Sequence, residues 1–286
     1  MLSDARLSHP QARRPNDPIH RSRPEARPRA APRSCPLGGA MHTTRTVRQR
    51  GFTLVELMSV VAILALVAAI AVPNLFESRL SANEVAAVET LRLLAQAQAQ
   101  FQGRAIIDRD GDGVGEFGGF LELSGMRGPR VAAGAPAKPP LAPPILTNGS
   151  FQVVSAPWGH MERNGYCFQI YLPLPNGFRY PERVGQFHPA VDPDYAENTW
   201  CCYAWPTAYG TSGRRTFCVN QSGTLVMTDS SAYSGSALGT NRPETAGNTL
   251  GAAFAANNDA KHVQRITGRL AVDEVGYDGN LWNQVK

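Results

Sequence analysis

Three groups of residues carry side chains whose type and spacing could do chemistry. Glu56 is the only ionisable side chain in the 21 residues from Phe52 to Val72. A carboxylate in hydrocarbon costs a few kcal/mol or more unless it is paired, so its presence there points to function. Asp108, Asp110, Asp112 and Glu116 fall within nine residues, interleaved with glycine. Four like charges so close repel one another, and a cation would relieve them. Cys167, Cys201, Cys202 and Cys218 form an even set in the C-terminal half, whereas Cys35 lies far from them. The chain has no Gly-x-Ser-x-Gly elbow, His-Glu-x-x-His pair, phosphate-cradling glycine loop or dinucleotide fingerprint. His160, His188 and His262 are scattered, and Asp192-Pro193-Asp194 reads as turn chemistry. Trp200, Tyr203, Trp205 and Tyr209 could form a binding surface for a sugar or a partner, but aromatics of this size are expected to fill the core under a sheet. No catalytic constellation emerges, so the chain is not read as an enzyme.

The element that must hold Glu56 is the run from Phe52 to Val72. At about 1.5 Å rise per residue, 21 helical residues span roughly 30 Å, the thickness of the hydrocarbon core. Arg45, Arg48 and Arg50 precede it, with no acid from Met41 to Gly51. The basic flank is expected to stay in the cytoplasm and everything beyond Val72 to be exported.

The string Arg50-Gly51-Phe52-Thr53-Leu54-Val55-Glu56-Leu57-Met58 resembles the processing site of type IV pilins and type II secretion pseudopilins. The resemblance implies that a prepilin peptidase cuts after Gly51 and methylates the new amino terminus at Phe52. It also implies that Glu56 pairs with the Phe52 amine of a neighbouring subunit, which neutralises two charges and sets the stagger. An ordinary secretory signal would be cut after the apolar run, near Ala69-Ile70-Ala71, and would leave the motif without a role. The implied partners are the peptidase, other pilin or pseudopilin subunits in a homo- or hetero-polymer, an inner-membrane assembly platform and the bilayer. The implied location is the bacterial inner membrane, with a single pass and a cytoplasmic amino terminus, leading to a periplasmic or surface filament. The resemblance is specific over residues 45 to about 75. The competing reading is a membrane-anchored exported binding protein or enzyme that uses a prepilin-like leader.

The acidic loop resembles the start of an EF-hand calcium loop, with acids at its first, third and fifth positions and Gly113 at the sixth. Val114 would add its carbonyl, and Glu116 a carboxylate or a bridging water. The twelfth position is Gly119 where an EF-hand carries a bidentate glutamate, so affinity is expected to be weak unless Glu122 substitutes. The alternative is a Gly-Asp turn whose carboxylates cap local amides.

For the cysteines, an exported domain favours disulfides. A vicinal Cys201–Cys202 bridge would strain the peptide bond between them, so Cys167 and Cys218 are each expected to take one of the adjacent pair. One bridge with two buried thiols is the alternative.

The remaining organisation follows from composition. Residues 1–40 hold eight Arg and seven Pro without Phe, Trp or Tyr, which cannot build a core. They are read as disordered: either a mis-assigned start, with translation from Met41 and a leader over 41–51, or a long cytoplasmic leader ahead of it. Residues 1–51 carry 11 Arg against 3 acids, and the rest carries 17 Lys plus Arg against 20 acids, a net of −3. The basic pI therefore belongs to the leader and gives no indication of nucleic-acid binding.

After the membrane half at 52–72, Pro73 is expected to bend the helix without ending it. The amphipathic half at 73–103 places Val85, Val88, Leu91, Leu94, Ala97 and Phe101 on one face and stops at Gly103. An exported head at 104–286 follows, with a Pro-rich loop at 128–144. Strands are predicted at 150–154, 165–172, 199–205, 215–219, 224–228 and 269–275, and a long loop at 234–260. The fold class is α+β, pilin-like: one long helix packed on an antiparallel sheet.

Overall fold

The computed structural model describes residues 51–147, 149–152, 159–177, 179–182, 191–236, 242–243, 251–255 and 266–286. The disorder and start-site expectations for residues 1–40, the leader up to Arg50, and His188 and His262 lie outside these residues. The chain divides into two units at Phe52/Thr53. Of the first, Gly51 and Phe52 are described, and both are exposed.

The second unit begins with α1, Leu54–Gly103, a single helix of 50 residues that runs through Pro73 and ends at the predicted glycine. Thr53 caps it, its hydroxyl accepting from the Glu56 amide at 3.2 Å. From Leu54 to Arg79 every residue is exposed. Leu80, Ala87, Leu91, Leu94, Ala97 and Phe101 are buried, with Thr90 and Gln98 beside them. Val88 packs at the margin of that core. Val85, predicted for the same face, instead stays 59% exposed although Leu80 before it is already buried, because at about 100° per residue it points about 120° away from Leu91.

Eight strands form one antiparallel sheet: β1 (Met161–Arg163), β2 (Tyr166–Pro173), β3 (Arg179–Pro181), β4 (Cys201–Pro206), β5 (Thr216–Asn220), β6 (Leu225–Thr228), β7 (Glu274–Val275) and β8 (Leu281–Gln284). Their order is β1-β2-β4-β5-β6-β8-β7, and β3 joins β1 on the outer edge of β2. Four of the predicted strands, those at 165–172, 199–205, 215–219 and 224–228, are thus present within a residue or two. The one predicted at 150–154 is not: Gly149–Gln152 is a 3₁₀ turn, and 153–154 are not described. Only Glu274–Val275 of the 269–275 prediction is strand, with Leu270 making an isolated bridge to Phe254.

All residues of β2, β4 and β5 are buried. An antiparallel strand with one wet face would alternate, so this pattern means the sheet is covered on both sides. On one face α1, the short helix α2 (Phe120–Leu123), Phe151, Phe168 and Trp200 make a core. On the other, Tyr203, Trp205, Cys218 and Val226 pack under Ala252, Phe254, Leu270 and Trp282. Trp200, Tyr203 and Trp205 therefore serve as core, while Tyr209 is 37% exposed.

Polar contacts fasten α1 to the head. The Gln98 side chain donates to the Gly118 carbonyl at 2.7 Å and accepts from its amide at 2.9 Å. Gly118 must be small, since a Cβ there would lie 2.9 Å from the Phe101 ring. Nearer the membrane half, Asn83 donates to the Ser212 carbonyl, and Arg214 makes a two-pronged pair with Glu77 at 2.7 and 2.8 Å.

Candidate functional site

The amino-terminal half of α1 is unlike the rest of the molecule. Leu54, Val55, Leu57, Met58, Ile63, Leu64, Leu66 and Ile70 are each 58–74% exposed. Its most apolar window has a mean hydropathy of 2.7 with none of it buried, and by length and composition it could cross a membrane. A soluble protein does not leave such a surface in water, so this half-helix must be covered by lipid or by other protein.

Glu56 sits in the first turn, where a carboxylate meets the positive end of the helix dipole. The Thr53 hydroxyl lies 3.4 Å from the Glu56 carboxylate while also capping the Glu56 amide. Thr53-x-x-Glu56 is therefore also a capping-box spacing, a structural role that the reading of Glu56 as an assembly residue overlooked and that its sequence spacing reveals. Glu56 remains exposed among the described residues. Around Gly51, a Cβ would meet nothing within 4 Å among the described residues, which place no steric demand for glycine there.

The acidic loop separates into two sets. Glu116 is fully buried, and Arg109 Nε donates to its two oxygens at 2.8 and 2.9 Å, with Arg130 at 3.4 Å. Glu122 is likewise buried, paired with Arg130 at 2.5 Å and accepting from the Gly119 amide. Neither is available to a loop-bound cation, which corrects the assignment of Glu116 and of Glu122 as its substitute. Their ion pairs fasten the Pro-rich segment, where Arg130 also donates to the Phe117 carbonyl. Asp108 caps the Gly111 and Gly113 amides, and Asp112 caps the amide of Val114, whose side chain is exposed. The turn reading thus describes Asp108 and Asp112.

The sequence did not reveal that α3 (Pro193–Asn198) would reach this loop. Its signal was present in Asp192-Pro193: Asp192 caps the Tyr195 amide at 3.0 Å, and proline at the first position suits a helix start. Carboxylate oxygens of Asp110, Asp194 and Glu197 lie within 4.8 Å of one another, as do those of Asp108, Asp110 and Asp112. Burial, then the neighbouring Asp112, Asp110 and Asp194, push the Glu197 carboxyl up to about 7.

The cysteines do not sit as expected. Cys201 and Cys202 are consecutive on β4 and point to opposite faces: Cys202 joins the α1 side, while Cys167, Cys201 and Cys218 all lie on the other. Cys202 thus shares its face with no other described cysteine. Cys167 pairs with Trp205 on β4, four positions from Cys201. The pairing in which Cys167 and Cys218 each take one of the adjacent pair does not fit this sheet. All four are buried thiols, and burial raises Cys167 and Cys202. His160, beside Glu162 at 3.5 Å and close to Cys167, is buried against Trp205 in the β1–β2 hairpin.

Against known proteins, residues 47–72 match the prokaryotic N-terminal methylation motif. Residues 68–236, more than half of the chain, match the family described as Protein of unknown function (DUF2950). The chain is 41% identical over 88 residues to the type IV major pilin protein PilA of Myxococcus xanthus (strain DK1622), a match covering 31% of this chain and 39% of that relative. The chain thus spans about two fifths of the length of the curated relative it matches. No solved structure matches it. A helix whose apolar half stands clear of the head, the methylation motif at its start and the extent of the second match agree: the chain is type IV pilin-like and belongs to the family described as Protein of unknown function (DUF2950).

Proposed function

We propose that this chain is a structural subunit, a pilin or pseudopilin, of a membrane-derived filament. The observation that carries the reading is the stretch of α1 from Leu54 to Val72, wholly exposed and almost wholly apolar, with Glu56 in its first turn as its single acid. Before assembly the bilayer covers this surface, and in the filament the same half-helices of other subunits do. The prepilin peptidase cuts between Gly51 and Phe52 and methylates the Phe52 amine. That amine then pairs with Glu56 of the next subunit, so neither charge is left alone in hydrocarbon. The Thr53 hydroxyl beside the carboxylate holds it near the helix start while the partner arrives. The head stays outside the membrane, anchored to α1 through Gln98, Asn83 and Arg214. The similarity to a type IV major pilin over 88 residues and the methylation motif support this assignment.

The test is incorporation. Glu56→Ala is expected to leave cleavage intact and to remove the chain from sheared filaments, while Glu56→Asp restores part of it. Filaments containing Glu56→Ala at the normal level would refute the role of the pair.

A further inference from the structure

We infer that Asp110 on the connection after α1 and Asp194 and Glu197 on α3 hold a divalent cation, calcium, with Asp108 and Asp112 completing its negative surround. The carboxylates differ in what already satisfies them. Those of Asp108 and Asp112 accept from loop amides, whereas those of Asp110, Asp194 and Glu197 converge within 4.8 Å, with Asp110 and Asp194 so close that only a shared proton or a cation relieves them. Arg109, the basic residue inside the loop, is turned away onto Glu116 and the Val191 carbonyl.

The deciding observation is Glu197. It is 93% buried, its Oε1 has no hydrogen-bond partner, and its carboxylate lies in the cluster with those of Asp110 and Asp194. A buried, unsatisfied carboxylate oxygen beside two further carboxylates is an unfavourable arrangement unless a cation occupies the space between them. The donor set is all oxygen, which selects a hard cation over zinc or copper. Side chains from an irregular loop and a one-and-a-half-turn helix suit the flexible shell of calcium better than the strict octahedron of magnesium. The ion would join residues about 85 positions apart. It would also clamp the end of α1, where Gln102 already donates to the Glu197 carbonyl at 2.8 Å.

The test uses the full chain in detergent, stripped with EDTA and titrated with calcium chloride by calorimetry and thermal unfolding. The wild type is expected to bind one calcium with a Kd between about 10⁻⁵ and 10⁻³ M. At about 100-fold excess over Kd, Tm should rise by roughly 5 °C or more. Magnesium is expected to shift it less. Glu197→Gln and Asp194→Asn should each weaken calcium at least about tenfold, while the cation-free Tm of Glu197→Gln equals or exceeds that of the wild type because a repulsive charge is gone. Asp229→Asn, an exposed acid elsewhere, should change nothing. The inference is overturned if calcium at about 10 mM produces neither heat nor a Tm shift. It is equally overturned if Glu197→Gln and Asp194→Asn bind as tightly as the wild type, since the loop alone would then hold the ion.

Discussion

Glu56, Gly51 and Phe52 carry the functional account, and the fold itself asks little of them. No Cβ clash requires glycine at position 51, so Gly51→Leu is expected to leave the Tm of the detergent-solubilised chain unchanged while the leader persists. Intact mass checks the second point, and cleavage at the normal rate would mean the glycine is dispensable. In the head, Glu182 is fully buried and accepts from the Phe120 and Leu121 amides at 2.6 and 2.9 Å. Burial nonetheless pushes its carboxyl up to about 7. A carboxyl whose folded pKa is raised binds more protons in the folded than in the unfolded state. Its stabilising contribution is full below the unfolded value near 4.5 and is lost as pH rises towards 7. Denaturation between pH 5 and 8 should therefore show stability falling with pH by up to about 3 kcal/mol, and Glu182→Gln should flatten that slope. The cysteines give a third outcome. Cys202 shares its face with no other described cysteine, and Cys167 is four positions out of register with Cys201. Unreduced, unfolded protein should yield alkylated Cys167 and Cys202, and any bridge should join Cys201 to Cys218, diagonal neighbours on adjacent strands.

At the scale of elements, α1 is two helices in one. Its outer half meets the head through Leu91, Leu94 and Phe101, all fully buried. Leu94→Ala should lower the stability of the head by about 2–5 kcal/mol in detergent. Leu64→Ala, in the exposed half, should change it by less than about 0.5 kcal/mol and act only on filament yield. If the two substitutions cost the head equally, the division of α1 is wrong. The helix was legible in the sequence because 3.6-residue spacing, the apolar run and the terminal glycine all pointed the same way. Val85 was misplaced because successive three-residue steps, 85 to 88 to 91, each drift about 60° around a helix of 3.6 residues per turn, so it falls off the buried face. The central strands were legible from β-branched and aromatic runs between turn formers. The short strands β1, β3 and β7, at two or three residues each, carry too little pattern to be read. Glu116 and Glu122 were read as cation ligands because spacing cannot show that Arg109 and Arg130 would fold back onto them. The contribution of α3 was hidden because it lies about 80 residues beyond the loop it meets, a distance that local spacing does not encode.

For the whole molecule, the sheet is closed on both faces and the head keeps most of its described aromatic residues inside, leaving the membrane half of α1 as the large apolar surface among the described residues. A chain built this way has a self-contained exported head and an anchor that must find company. Filament assembly satisfies that requirement, and the proposed processing at Gly51 makes the anchor competent for it by freeing an amine for Glu56. The most direct test is intact-mass and N-terminal analysis of the chain isolated from its native membrane. The account predicts a mature chain that starts at N-methylated Phe52. A chain starting at Met1 or Met41, or cut after Ala71, would contradict it and leave Glu56 without its partner.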